Sequence, residues 1–101
     1  MKRAPHVLDP YVLDTLMADL VGHDRRPSAF LVYLAIVAAA GDGRAALSHA
    51  TLAERTGLSK RTVQTAIAAL LRRSLIECRP RGPTDTPQYR PLSPWRRAGE
   101  S

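Results

Sequence analysis

Polar and basic side chains are concentrated just after Ser59, at the start of a predicted helix. A serine there can cap the helix by accepting a hydrogen bond from a backbone N–H of the first turn. The helix N-terminus carries unpaired N–H groups and a partial positive charge, which favour a phosphate group. The side chains presented at this helix start are Ser59, Lys60, Arg61, Thr62, Gln64 and Thr65. Such groups on a helix can reach base edges in a major groove.

A sharp turn must position this helix, and the preceding residues supply one. Ser48 is predicted to cap a shorter helix over residues 50–56. Gly57 can then adopt a positive φ, and Leu58 is expected to point into the core. The second helix is predicted over residues 60–73. Two short helices joined by a three-residue turn are typical of a helix-turn-helix.

Two further helices are predicted before this pair. The first begins at Asp9-Pro10 and ends at Gly22, since aspartate caps helices and proline favours their first position. Its apolar spacing predicts one stripe made of Leu13, Leu16, Met17, Leu20 and Val21. The second helix opens at Pro27, is stopped by residues 41–43, and is apolar on all sides. A helix of that kind is either the central beam of a fold or part of a subunit interface.

Short strands are predicted around the helix-turn-helix. One lies in residues 44–47, and a second in residues 75–79. The turn-rich stretch 80–87 connects the second strand to a third at 88–90, where Pro91 should limit the strand or confine it to an edge. The predicted fold class is mainly α with a small β-hairpin.

The length and net charge of the chain limit the classes of molecule that it is expected to bind. The chain has 101 residues, a formal charge of +6 and a pI near 10.4. This suits one domain with a polyanionic partner, nucleic acid first and an acidic membrane second. The apolar run 29–40 is shorter than the roughly 20 residues that span a membrane. The N-terminus lacks the pattern of a secretion signal, and the single cysteine, Cys78, fits a reducing compartment. A cytoplasmic location is expected.

No set of residues suggests catalysis or metal binding. Paired carboxylates, a nucleophile with its base and a glycine-rich phosphate loop are all missing from the sequence. The residues His6, His23, His49 and Cys78 lack the spacing of metal ligands. The sequence therefore predicts no enzyme, metal, cofactor or small-molecule ligand. Cys78 is expected to be a buried small side chain beside Ile76, with a redox-sensing thiol as the alternative.

The segments Leu52-Ala53-Glu54-Arg55-Thr56-Gly57-Leu58-Ser59-Lys60-Arg61-Thr62-Val63-Gln64 and Leu70-Leu71-Arg72-Arg73-Ser74-Leu75-Ile76 resemble bacterial winged helix-turn-helix transcription regulators. The resemblance extends over about residues 27–92. It implies a winged helix-turn-helix with an extra N-terminal helix, in which helix 60–73 reads double-stranded DNA and loop 80–87 forms the wing. The implied DNA-facing residues are Ser59, Lys60, Arg61, Thr62, Gln64 and Thr65, with Arg79 and Arg81 as wing contacts. Ser74 departs from the family, which commonly has glycine there.

The whole chain is interpreted as a flexible arm at 1–8, the winged domain at 9–93 and a basic tail at 94–101. Two apolar helices in so small a protein favour a homodimer. Two other functions stay open: a plasmid- or phage-type replication or partition factor, and a protein-docking module. Arg72 and Arg73, at the far end of the helix, are predicted either to contact DNA or to pair with the helix C-terminal dipole.

Overall fold

A computed structural model describes residues 5–41, 43–79 and 86–94. Its helical elements are two π-helical segments, Val12–Leu16 and Ala18–His23, and the helices α1 (Pro27–Ala40), α2 (His49–Thr56) and α3 (Lys60–Arg72). The strands are β1 (Ala45–Ala46), β2 (Ile76–Arg79) and β3 (Gln88–Pro91). The predicted mainly helical fold with a β-hairpin is confirmed. Residues 1–4 of the predicted arm, 80–85 of the wing and 95–101 of the tail lie outside the described residues.

Helix α1 lies at the centre of the fold, which is one of the two positions that the sequence predicted. Its side chains Phe30, Val32, Tyr33 and Ile36 are buried, and the helix packs against α2, α3, β3 and the second π-helical segment. The Tyr33 hydroxyl donates a hydrogen bond to the Leu92 carbonyl at 3.1 Å, so the one polar atom of that buried ring has a partner. An element that is apolar on most sides is stable only when other elements surround it.

The N-terminal helical region, made of the two π-helical segments, begins as predicted but is wound differently. Asp9 accepts a hydrogen bond from the Tyr11 backbone N–H at 3.0 Å, as a capping residue does. At the other end, the Asp24 N–H donates to the Asp19 carbonyl, five residues back, at 2.8 Å. This i→i−5 bonding gives a wider turn than that of an α-helix.

The wider turn changes which side chains face inward. The spacing predicts a single apolar stripe that includes Leu13, Met17 and Val21, and this prediction is wrong: these three are 49%, 42% and 39% exposed. The buried positions are Val12, Leu16 and Leu20. The prediction assumed the α-helical period of 3.6 residues, and π-helical winding brings residues four apart closer to one line. The two sets form separate stripes, one inward and one outward.

The sheet contains three antiparallel strands in the order β1-β3-β2. Tyr89 lies opposite Ala45 on one side and opposite Cys78 on the other, so β3 is the central strand. Of the two alternatives for Pro91, confinement of the strand to an edge is wrong, whereas a limit on its length agrees with a strand that ends at Pro91. Pro91 pairs with Ile76 of β2 and lies beyond the end of β1. Its missing N–H is therefore tolerated, because only one side is paired at that position.

Ser74 ends α3 in the manner of a glycine. Its φ is +56°, in the left-handed region. The Ser74 N–H donates to the Leu71 carbonyl at 3.1 Å, and the Leu75 N–H donates to the Leu70 carbonyl at 3.0 Å. These two bonds are the Schellman pattern that normally ends in glycine. The helix therefore ends at Arg72, one residue before the predicted end. The chain enters β2 through Ser74 with the same left-handed backbone conformation that a glycine would adopt there.

Replacing Ser74 with glycine should stabilise the protein. A left-handed conformation costs a non-glycine residue about 1–2 kcal/mol, and the greater freedom of glycine in the unfolded chain offsets about 0.4–1 kcal/mol of that gain. We expect Ser74→Gly to raise the melting temperature by about 2–5 °C in calorimetry. Ser74→Ala is the control, since alanine keeps the backbone penalty. An equal rise in both variants would contradict this explanation.

Candidate nucleic-acid interface

The turn between α2 and α3 is fixed by local hydrogen bonds. Gly57 has φ +80° and ψ 9°, and its N–H donates to the Ala53 carbonyl at 2.8 Å. The Thr56 hydroxyl donates to the Leu52 carbonyl at 2.7 Å and accepts from the Leu58 N–H at 3.3 Å. Leu58 packs against the core as predicted. The angle between the two helices is thus set by backbone geometry.

Serine caps begin both helices of the motif. Ser48 Oγ accepts from the Thr51 N–H at 3.0 Å, and Ser59 Oγ accepts from the Thr62 N–H at 3.1 Å. The Ser59 hydroxyl also donates to Thr62 Oγ1 at 2.9 Å. Ser59 and Thr62, both predicted to face DNA, therefore have a structural role in capping α3. The backbone N–H groups of the first turn before Thr62 have no partner within the helix.

The outward face of α3 holds most of the predicted contact residues. Its inward side is formed by Val63, Ala66, Ile67 and Leu70, which are buried. Exposed on the opposite side are Lys60, Arg61, Gln64, Thr65, Ala68, Leu71 and Arg72. The apolar spacing of Val63, Ile67, Leu70 and Leu71 predicts that all four face inward, but Leu71 is 42% exposed and this part of the prediction is wrong. Positions at 100° per residue place Arg72 almost in line with Arg61, so the basic stripe extends further along the helix than predicted.

Gln64 is linked to α2. Its Nε2 lies 3.4 Å from Nδ1 of His49, the first residue of α2. The sequence had treated His49 as one of several scattered histidines. Its nearness to Gln64 could not be seen from a separation of 15 residues. The side chain of His49, from α2, therefore lies beside the exposed face of α3.

The outer face of the sheet is also basic. Arg79, predicted as a wing contact, is exposed at the end of β2. Glu77 shares this face and lies opposite Arg90 on β3. A 2.5 Å ion pair joins Glu77 to Arg44, and this hydrogen bond and the nearby arginine charges lower the pKa of Glu77. The three arginines outnumber the single carboxylate. Arg81, the other predicted wing contact, lies outside the described residues.

Arg73 is engaged with the N-terminal helical region. Its guanidinium forms ion pairs with Asp24 and, at 3.1 Å, with Asp19. The sequence had suggested either DNA contact or pairing with the helix dipole. The side chain therefore joins the C-terminal end of α3 to the helical region before α1. Sequence separations of 49 and 54 residues hid this contact.

Acid should weaken these ion pairs. Partial desolvation acts to raise the pKa of Asp24, but hydrogen bonds from His23 and Arg73 and the Arg73 charge outweigh it, so the pKa is lowered. A lowered pKa gives stability that is present above the unfolded pKa, about 3.9, and is lost as pH falls through the folded pKa. We expect Asp24→Asn to lower the free energy of unfolding by about 0.5–1 kcal/mol at pH 6 and by less at pH 3. Urea titrations at both pH values measure this.

Asp14→Asn is the matched control for the acid experiment. Asp14 is an exposed carboxylate in the same helical region, and it has no ion pair with a residue that the structure describes. We expect its substitution to change stability less than Asp24→Asn at pH 6. Equal effects of both variants at each pH would show that the Arg73 ion pairs are not the source.

Cys78 is half-buried and packs against the core, so it is less enclosed than expected. Within the described ranges, no group of three or more His, Cys, Asp or Glu side chains is arranged to hold a metal ion. The helices of the same ranges are all too short or too polar to cross a membrane.

A helix-turn-helix followed by a small antiparallel sheet defines the winged helix-turn-helix fold. A family model described as a helix-turn-helix domain matches residues 26–76, from the residue before α1 to the first residue of β2. The match covers half of the chain, and the protein belongs to this helix-turn-helix family. Membership implies DNA binding, and domains of this kind are typically not enzymes. Comparisons with curated proteins and with solved structures gave no match.

Proposed function

We propose that this protein binds double-stranded DNA in a sequence-dependent way and acts as a transcriptional regulator. The observation that carries the proposal is the outward face of α3. Lys60, Arg61, Gln64 and Thr65 are all exposed on a helix that is capped at Ser59 and packed on its other side. A major groove is wide enough to admit such a helix.

The groups on this face suit two kinds of contact. Lys60 and Arg61 stand in the first turn, next to unpaired backbone N–H groups, where a DNA phosphate would be favoured. Arginine can also form two hydrogen bonds to guanine, and glutamine can form two to adenine. Phosphate contacts position the protein, and base contacts supply sequence preference.

The loop 80–87 is proposed as the wing. Its flanking strands are paired from Ile76–Pro91 to Arg79–Gln88, so the loop emerges from a fixed base. Arg79, at that base, is exposed. We expect Arg81→Ala to reduce the salt dependence of DNA binding by one phosphate contact, a change of about 0.9 in slope. An unchanged slope would contradict the wing assignment.

Sequence preference is tested by selecting bound duplexes from a randomised 20-base-pair library. Wild-type protein should enrich a defined motif, and Gln64→Ala should relax preference at one position by about 1–3 kcal/mol. Uniformly weaker binding to all sequences would instead make Gln64 a backbone contact. A wild-type library with no enriched motif would contradict sequence-dependent binding and, with it, the regulatory role.

We also propose a homodimer formed through the N-terminal helical region. Leu13, Met17 and Val21 are exposed there and lie four residues apart, which places them along one side of the helix. Pairing with the same stripe of a second copy would be self-complementary, as a two-fold interface requires. Two α3 helices would then read half-sites about one helical turn apart.

Light scattering tests the dimer. Wild-type protein should have twice the monomer mass, and Met17→Glu should shift it to monomer because the charge would be buried in the interface. Leu71→Glu is the matched control, since both side chains are 42% exposed. A wild-type monomer at high concentration would rule out this interface.

A further inference from the structure

We infer that His49 is a positioning residue that orients the Gln64 amide for recognition of adenine. This inference rests on the proposed DNA-binding role of α3. The carrying observation is the 3.4 Å approach of Gln64 Nε2 to His49 Nδ1. His49 is half-buried at the first position of α2, whereas Gln64 is exposed in the second turn of α3.

The contact limits the freedom of a flexible side chain. An exposed glutamine samples many rotamers, and fixing one of them on binding costs conformational entropy. A partner on a neighbouring helix reduces that cost before DNA arrives. The helices that carry the two residues are themselves held by the Gly57 turn and by packing against α1. The anchor point of the amide is therefore fixed relative to the recognition helix.

The chemistry of the contact decides which groups remain for DNA. A neutral imidazole with its proton on Nε2 accepts at Nδ1, so one of the two amide N–H groups of Gln64 is used there. The second N–H and the carbonyl Oε1 stay free. These are the donor and acceptor that pair with N7 and the N6 amino group of adenine. A reversed amide would place Oε1 against the lone pair of Nδ1, which is unfavourable, so His49 in this tautomer selects the orientation suited to adenine.

Two substitutions of His49 distinguish the effect of its hydrogen-bond acceptor on the Gln64 amide from the effect of its ring shape. Asparagine places an oxygen acceptor three bonds from Cα, as Nδ1 is in histidine, whereas phenylalanine keeps a ring but has no acceptor. The probes are four DNA duplexes. One has the sequence selected by the wild-type protein, and the other three carry each of the other bases at the position where Gln64→Ala relaxes the preference. Competition anisotropy measures the preference for adenine over each other base.

We expect Gln64→Ala to reduce the adenine preference by about tenfold. His49→Phe should reduce it by about threefold to tenfold, His49→Asn should retain it, and His49→Phe should have no further effect in the Gln64→Ala background. Melting temperatures check that the variants fold. An unchanged preference in His49→Phe, a preferred base other than adenine, or an equal loss in His49→Asn would overturn the inference while leaving DNA binding intact. Absence of any sequence preference in the wild-type protein would instead overturn the proposed function.

Discussion

Gly57→Val should lower the melting temperature by about 10–20 °C. Gly57 has φ +80°, in the left-handed region, and its N–H closes the end of α2. A β-branched residue in that region costs about 2–3 kcal/mol. For a chain of this size, each kcal/mol of lost stability lowers the melting temperature by about 4–8 °C, which gives the expected shift. Thermal unfolding followed by circular dichroism measures it.

Gly22→Val is the matched control for the turn. An added Cβ would meet no atom within 4 Å at either glycine, so the Cβ itself is not crowded in either variant. Gly22 has no positive φ and lies in a helical segment. Its substitution should leave the melting temperature within a few degrees of the wild type. Equal losses in both variants would show that the backbone conformation of Gly57 does not hold the motif together.

Removing both cations at the start of α3 should weaken DNA binding by about tenfold to a hundredfold at low salt. Each phosphate contact contributes about 0.9 to the slope of log affinity against log salt. The double variant Lys60→Ala, Arg61→Ala should therefore reduce that slope by about 1.8. Anisotropy titrations of a random-sequence duplex at several salt concentrations give both quantities.

A second double variant controls for net charge. Arg25→Ala, Arg26→Ala removes the same charge from exposed residues in the loop before α1. The Asp24–Arg73 ion pair places this loop near the C-terminal end of α3, about 18 Å along the helix from Lys60. Its effect on the slope should be clearly smaller. Equal reductions would indicate that affinity follows total charge and that the start of α3 has no special role.

The helix-turn-helix could be predicted from sequence because its signals are local. A serine cap, a glycine that reverses the chain and an apolar spacing of three or four residues act within one or two turns. The caps at Ser48 and Ser59 and the positive φ of Gly57 appear in the structure where expected.

The errors arose where the structure departs from a regular period or depends on distant contacts. Leu13 and Met17 were assigned to one stripe with the buried Leu16 because an α-helical period was assumed in a region that winds as a π-helix. An edge position stayed open for the strand that contains Pro91 because strand order cannot be read from strand composition. The Arg73 ion pairs and the His49–Gln64 contact join residues remote in sequence, so only the folded chain brings them together.

The central claim is that the exposed face of α3 binds duplex DNA. The most direct measurement is a fluorescence-anisotropy titration of a random-sequence duplex at 50 mM and 200 mM salt. We expect a dissociation constant on the order of micromolar at the lower salt and a loss of at least about tenfold at the higher salt, because phosphate contacts release counterions. No binding at the lower salt, or binding that does not respond to salt, would contradict the claim and favour a protein-docking role for the same fold.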